Sequence, residues 1–144
     1  MIMLTNIISL DLGRSSLGLA ISRSGMFTQA LPNLHFSPDN YDECLEKFLA
    51  VAKTERIEHI VMGYPLYPSG DECEMTPIVM AFAEKIKPHF PHIDIKFQDE
   101  RNTTVEASEM LHLNKKNSKK QKQIIDSAAA VIILERYLRS INQY

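Results

Sequence analysis

Apolar and polar positions fall into blocks along the chain, and the blocks alternate between strand-like and helix-like spacing. Residues 7–12 (IISLDL) are a mostly apolar run of strand length; after Gly13 and a polar tetrad ending near Ser16, a second run, LGLAIS, reaches Ser22. The pair reads as a hairpin. A third extended piece is expected around Met26–Phe36, irregular because Pro32 cannot donate to a ladder and Ser24-Gly25 signals a turn; it ends at Ser37-Pro38. Asp39 or Asn40 then fits a helix N-cap, and Leu45, Phe48, Leu49 and Ala52 recur at three-and-four spacing to about Glu55. HIVMGY (59–64) follows as a buried strand, and residues 65–71 are a Pro-, Ser- and Gly-rich loop. Ile78, Phe82, Ala83 and Ile86 mark a second helix that stops before Pro88, and IDIKFQ (93–98) is another strand. Thr103 or Thr104 can cap a third helix with Val105, Met110 and Leu111 on its apolar side. The last helix starts near Lys119 and carries Ile124, Ile125, Ala128, Ala129, Val131, Ile132, Leu134 and Leu138. A strand meander followed by strands separated by helices predicts an α/β arrangement, a mixed sheet flanked by helices. In such sheets ligands bind outside the carboxyl ends of strands, which directs attention to Asp11, to Gly63 through Leu66, and to Gln98 through Arg101.

Composition narrows the class. The chain has 144 residues, 44% of them apolar and 24% charged, which predicts one packed domain over 1–144 rather than a disordered tail, a fibre or a membrane protein. The apolar start Met1–Leu10 runs straight into Asp11 and Arg14, too short for a membrane helix, and lacks the basic region and cleavage site of a secretory signal. Cys44 and Cys73 stand alone, without CxxC or Cys/His spacing, so a zinc site is not expected and reduced thiols in a cytoplasmic protein are. A formal charge of −2 does not advertise nucleic acid as a partner. Locally, however, Arg101 and the lysines at 115, 116, 119, 120 and 122 could hold a phosphate backbone; a solvated linker with a basic helix start is the alternative.

Four acids stand out. Asp11 interrupts an apolar strand at its carboxyl end, where a buried carboxylate needs compensation, either from turn backbone N–H groups or from a metal ion. Asp99 and Glu100 end the strand IDIKFQ. Asp126 shares a helical stripe with Ala129, Ala130, Ile133 and Tyr137, which is not a solvated face, although it also sits where an acid favours a helix start. The alanine run 128–130 would let this helix approach the sheet and bring Asp126 toward Asp11. Carboxylates without matching Cys or His suit hard cations, Mg²⁺ or Mn²⁺, and two such ions about 4 Å apart can clamp the oxygens of an in-line phosphodiester displacement. The five histidines are scattered singly, and no small organic cofactor is suggested.

Four segments in order, ISLDLGRSSLGLAIS, IVMGYPLYPSG, FQDERNTTVEA and KKQKQIIDSAAAVIILERYL, resemble the YqgF/RuvX family of Holliday-junction-resolvase-like, pre-16S rRNA nuclease proteins. The resemblance implies a ribonuclease-H-like fold with a five-stranded mixed sheet, its second strand antiparallel, and a metal-dependent site. The family's acids fall on Asp11, Glu100 and Asp126. Strand alternation alone leaves Asp99 and Glu100 open; the resemblance selects Glu100. After DLG the family usually has Thr and a basic pair, whereas this chain has Arg14, Ser15 and Ser16, and Asn102 stands where leucine is usual.

The expected function is therefore a hydrolase: metal-dependent cleavage of structured nucleic acid, foremost rRNA processing at the 5′ end of pre-16S rRNA in ribosome biogenesis. Asp11 and Asp126 would bind Mg²⁺ or Mn²⁺, Glu100 would bind metal or orient water, and Arg14, Arg101, Lys115, Lys116, Lys119 and Lys120 would hold the backbone. The alternatives are a junction-resolving DNA nuclease and a non-catalytic nucleic-acid-binding assembly factor, as monomer or homodimer. A phosphotransferase of the sugar-kinase and actin type would need two such lobes.

Overall fold

The computed structural model describes residues 4–101, 103 and 118–142, and from 118 to 127 the backbone alone. Strands β1 (Ile7–Leu12), β2 (Ser16–Ser22), β3 (Gln29–His35), β4 (His59–Tyr64) and β5 (Ile95–Asp99) form one sheet in the order β3-β2-β1-β4-β5. β2 runs antiparallel to both β1 and β3, while β1, β4 and β5 are mutually parallel, so the carboxyl ends of these three lie along one edge. This is the mixed sheet the sequence predicts, and Pro32 is tolerated because β3 is an edge strand.

Among the described residues three helices cover the sheet: α1 (Tyr41–Glu55), α2 (Met75–Ile86) and α3 (Ser118–Ile141). Asn40 caps α1, its side chain accepting from the Glu43 N–H at 3.1 Å, while Asp39 is the left-handed residue before it. Helix α2 gives way to a short 3₁₀ turn at Lys87–His89. The helix expected after Thr103 lies outside the described residues, apart from helical, buried Thr103 itself. Among the described residues no helix is long and apolar enough to cross a membrane.

The two sheet faces are built from different side chains. Ile8, Leu10, Leu12, Leu17, Leu19, Ile60 and Met62 point one way and pack with Cys44 and Phe48 of α1 and with Val79, Phe82 and Ile86 of α2. On the opposite face small residues recur: Ser9 on β1, Gly18, Ala20 and Ser22 on β2, and Gly63 on β4. Helix α3 lies there, with Ala130, Ile133, Leu134 and Leu138 packing against Ile7, Ala20 and Val61. The seat is close enough for the buried Ser9 hydroxyl to donate to the Ala130 carbonyl at 2.7 Å, in the middle of the helix.

Candidate active site

Strand period places Ser9 and Asp11 on the α3 face of β1, Val61 and Gly63 on that of β4, and Gln98 with Glu100 on that of β5. Asp11 lies opposite Gly18 across β2, and the parallel register, with Leu10 beside Met62, brings it alongside Gly63. Gly63 in turn pairs with Gln98, and the Glu100 N–H donates to the Tyr64 carbonyl at 3.3 Å. The acids of β1 and β5 are thus separated by one strand whose residue at that level has no side chain. Glu100 reaches into the gap: a Cβ built on Gly63 would lie 2.8 Å from Glu100 Oε2 and 2.7 Å from Ile133 Cδ1. A side chain at 63 would therefore press on Glu100 and Ile133 where the two carboxylates meet, and one of them would have to shift.

Their meeting sets the electrostatics. Burial raises the Glu100 carboxyl far above its ordinary range, and the Asp11 charge and a hydrogen bond between the two groups push it further the same way. Near neutrality the metal-free pair therefore keeps a proton, Glu100 donating to Asp11. Asp99, one residue earlier, faces away and behaves oppositely. Its two oxygens accept from the Arg101 backbone N–H at 2.9 Å, Nε at 2.8 Å and Nη2 at 2.7 Å, and this pairing lowers its pKa. Of the two acids the sequence left open, it is Glu100 that turns toward Asp11.

The surroundings of the pair are held from several sides. Arg136 of α3 donates Nη1 to the Asp99 carbonyl at 3.2 Å and to the Arg101 carbonyl at 2.8 Å, and the Thr103 hydroxyl donates to the Glu100 carbonyl at 2.9 Å. Arg101 also reaches the loop after β4, donating to the Pro68 carbonyl at 3.3 Å. The turn after β1 closes with the Gly13 N–H bonded to the Ser16 carbonyl, and Arg14 there pairs with the exposed Asp39 and Glu74 at 3.2 and 3.1 Å. Cys73, just before α2, has its thiol held below the ordinary range by the Thr76 hydroxyl, and its charge is felt by Glu100.

Asp126 is placed by helix register. Tyr137 lies with Leu4 and Glu58 at the amino end of the strands and Ala130 lies at Ser9, so α3 runs antiparallel to β1. One turn before Ala130, position 126 is at the level of the carboxyl end of β1, where Asp11 is. Lys119 and Lys120 belong to the first turn of the same helix, and Lys115 and Lys116 lie outside the described residues. Among the described residues no three potential ligand side chains converge; the pair that does is Asp11 and Glu100.

Two residues that shape the site lie within segments that carry the family resemblance but were given no role in the site from the sequence. Gly63 offered a faint signal, as a glycine ending an otherwise apolar strand. Arg136 offered none, since its bonds go to backbone carbonyls far away in sequence.

A single sheet with one antiparallel strand, acids at the carboxyl edge and a long helix across the small-residue face is a ribonuclease-H-like fold. Among solved structures the chain is similar to RuvC of Thermus thermophilus in complex with a Holliday junction substrate, with TM-score 0.55 and 14% identity over 94% of each chain. It is similar also to a Thermus thermophilus RuvC structure, at TM-score 0.54 and 12% identity. The chain belongs to the RuvX family, whose model, described as Holliday junction resolvase, matches residues 5–140. Relatives carrying the name "Putative pre-16S rRNA nuclease" include one from Onion yellows phytoplasma, 34% identical over 91% of this chain and 87% of its own length. Others come from Sulfurihydrogenibium sp., 38% identical over 94% and 90%, and from Streptococcus equi subsp. equi, 34% identical over 92% and 96%.

Proposed function

We propose that the chain is a single-domain, metal-dependent nuclease that hydrolyses phosphodiester bonds in structured nucleic acid, with the 5′ end of pre-16S rRNA as its substrate. The observation that carries this reading is the convergence of Asp11 and Glu100 over Gly63, two carboxylates pressed together until one must keep a proton. Such a pair suits a hard divalent ion, whose charge would take the place of the shared proton and relieve the repulsion between the carboxylates. Asp11, Glu100 and Asp126 would hold Mg²⁺ or Mn²⁺. A divalent ion so held supplies Lewis-acid stabilisation of the charge that develops on a phosphate under attack.

The chain's own residues would do the rest. Glu100, half-buried after β5, would bind the metal or orient water beside the phosphate. Arg14, Arg101, Lys115, Lys116, Lys119 and Lys120 would hold the backbone by charge, without reading sequence. Among the described residues the Arg14 guanidinium pairs with the exposed carboxylates of Asp39 and Glu74, a weak hold that a phosphate can displace. The names of the relatives favour rRNA; the family description and the RuvC likeness favour a branched DNA junction as the second reading.

The test compares wild type with Asp11→Asn on a labelled rRNA-precursor fragment and a four-way DNA junction, with Mn²⁺ or Mg²⁺ and with chelator. Cleavage is expected from wild type with metal and not from Asp11→Asn, with the rRNA fragment cut faster. Binding without cleavage under every condition would replace the nuclease with an assembly factor.

A further inference from the structure

We propose that Tyr67 and Phe97, together with the guanidinium of Arg101, form a stacking platform for unpaired bases of the strand whose backbone lies at Asp11 and Glu100. This deepens the nuclease reading, on which it rests, by naming the substrate class: nucleic acid single-stranded beside the scissile phosphate.

Tyr67 is 52% exposed and Phe97 36%; among the described residues Phe27, in the turn between β2 and β3, is the one other aromatic ring so open. Two of three exposed rings therefore sit at the catalytic edge. Tyr67 leaves about half of its surface to solvent and Phe97 about a third, so each forgoes part of the free energy that full burial would give.

Their placement is ordered. Phe97 shares a face of β5 with Asp99, and Tyr64 is Asp99's partner in β4; Phe97 and Tyr64 meet edge-on, centroids 5.9 Å apart and planes at 75°. An edge-on pair uses one ring face and leaves others open to a base. Tyr67 is held by its backbone: its N–H donates to the Asp71 carbonyl at 2.9 Å and its carbonyl accepts from the Gly70 N–H at 2.8 Å. The next residue, Pro68, accepts from Arg101, whose guanidinium is fixed flat by Asp99. Three planar groups, two aromatic and one guanidinium, thus belong to one rim, with the Tyr67 backbone, the Phe97 ring and the Arg101 guanidinium each held by a neighbour.

The chemistry selects bases rather than phosphates. Neither ring offers a cation to a phosphate, whereas both offer a π-face to a base, and the Arg101 guanidinium, ion-paired with Asp99, can stack on a base while its charge stays near the backbone. Bases in a continuous duplex have both faces occupied by neighbours and cannot use the platform. Consecutive residues Asp99 and Glu100 point to opposite faces of the sheet, so a strand crossing the carboxyl edge passes from the rings to the acid pair within one residue's span of β5.

The experiment measures binding in EDTA, where no cleavage occurs, of a short single-stranded RNA, the same RNA with abasic positions, and its duplex. Proteins are wild type, Tyr67→Ala, Tyr67→Phe and Phe97→Leu, the last retaining apolar bulk without a π-face. Stacking contributions imply about tenfold weaker binding of the single strand by Tyr67→Ala and by Phe97→Leu. Tyr67→Phe should bind within about twofold of wild type, the abasic RNA should lose the same factor with wild type but nothing further with Tyr67→Ala, and duplex binding should not change. Equal binding by all four proteins, or equal loss on the abasic RNA, would overturn the platform. With Mn²⁺ restored, the same oligonucleotide separates the two claims: base-dependent binding without hydrolysis would leave the platform standing and remove the nuclease.

Discussion

Replacing Gly63 by alanine tests the central geometric claim, because the new methyl group would meet two atoms at once. Its Cβ would lie 2.7 Å from Ile133 Cδ1 and 2.8 Å from Glu100 Oε2. Non-bonded carbon atoms rest about 3.5–4.0 Å apart, so the overlap with Ile133 is about 1 Å, and β4 is an interior strand with no room to retreat. Overpacking of this kind destabilises by about 1–3 kcal/mol, which for a chain of this size lowers Tm by about 3–10 °C. Ile133→Val deletes the offending Cδ1 at a cost of about 1 kcal/mol when made alone. Urea unfolding of wild type, Gly63→Ala, Ile133→Val and the double variant should show that the pair together cost less than their sum, by about 1 kcal/mol. The carboxylate clash is not relieved by Ile133→Val, so Mn²⁺ binding should stay weakened in the double variant even as stability recovers. Additive stability losses, or Mn²⁺ affinity restored along with stability, would refute the reasoning.

Two further outcomes follow from the same site. Burial and Asp11 raise the folded-state pKa of Glu100 from 4.5 to about 9. In chelator the folded state therefore binds the extra proton, and the stability tied to it is full below the ordinary glutamate value and is lost as pH rises through the raised one. Glu100→Gln should match wild type near pH 5 and exceed it near pH 9 in urea unfolding, and Mn²⁺ should restore wild type alone; parallel pH profiles would exclude the shift. Arg136→Met removes a charged donor from the Asp99 and Arg101 carbonyls, a loss of about 1–3 kcal/mol. Amide exchange should quicken at Glu100 and Thr103, and Arg136→Lys should recover part of the protection; unchanged exchange would show that the turn holds without the clamp.

Strand and helix positions were legible wherever apolar periodicity was uninterrupted, and boundaries slipped where side chains captured backbone donors. β1 and β4 occupy residues 7–12 and 59–64 as their apolar runs predict. β3 begins at Gln29 rather than near Met26, because the Ser24 hydroxyl accepts from the Met26 and Phe27 N–H groups and makes a turn of them. β5 begins at Ile95 rather than 93, because the Ile93 N–H is used in closing a turn onto the Phe90 carbonyl. Asp11 was visible as a charge inside an apolar run. The choice between Asp99 and Glu100 was not, because a period of two fixes which residues share a face but not which face meets α3.

Which of the two acids faces Asp11 follows from the pairing with β4, and that orientation links the fold to the proposed chemistry. On the α3 face the chain places serine, glycine and alanine where a leucine or valine would bury more apolar surface, each such side chain forgoing about 1.5–3 kcal/mol. The same small residues let α3 come close enough to accept a hydrogen bond from Ser9 in mid-helix, and they leave the carboxyl edge open above Gly18 and Gly63. The helix approach brings position 126 to that edge, and the open edge lets Glu100 reach Asp11. A variant repacked for a larger core on this face would push the helix out and the acids apart together, so stability gained there comes at the expense of the site.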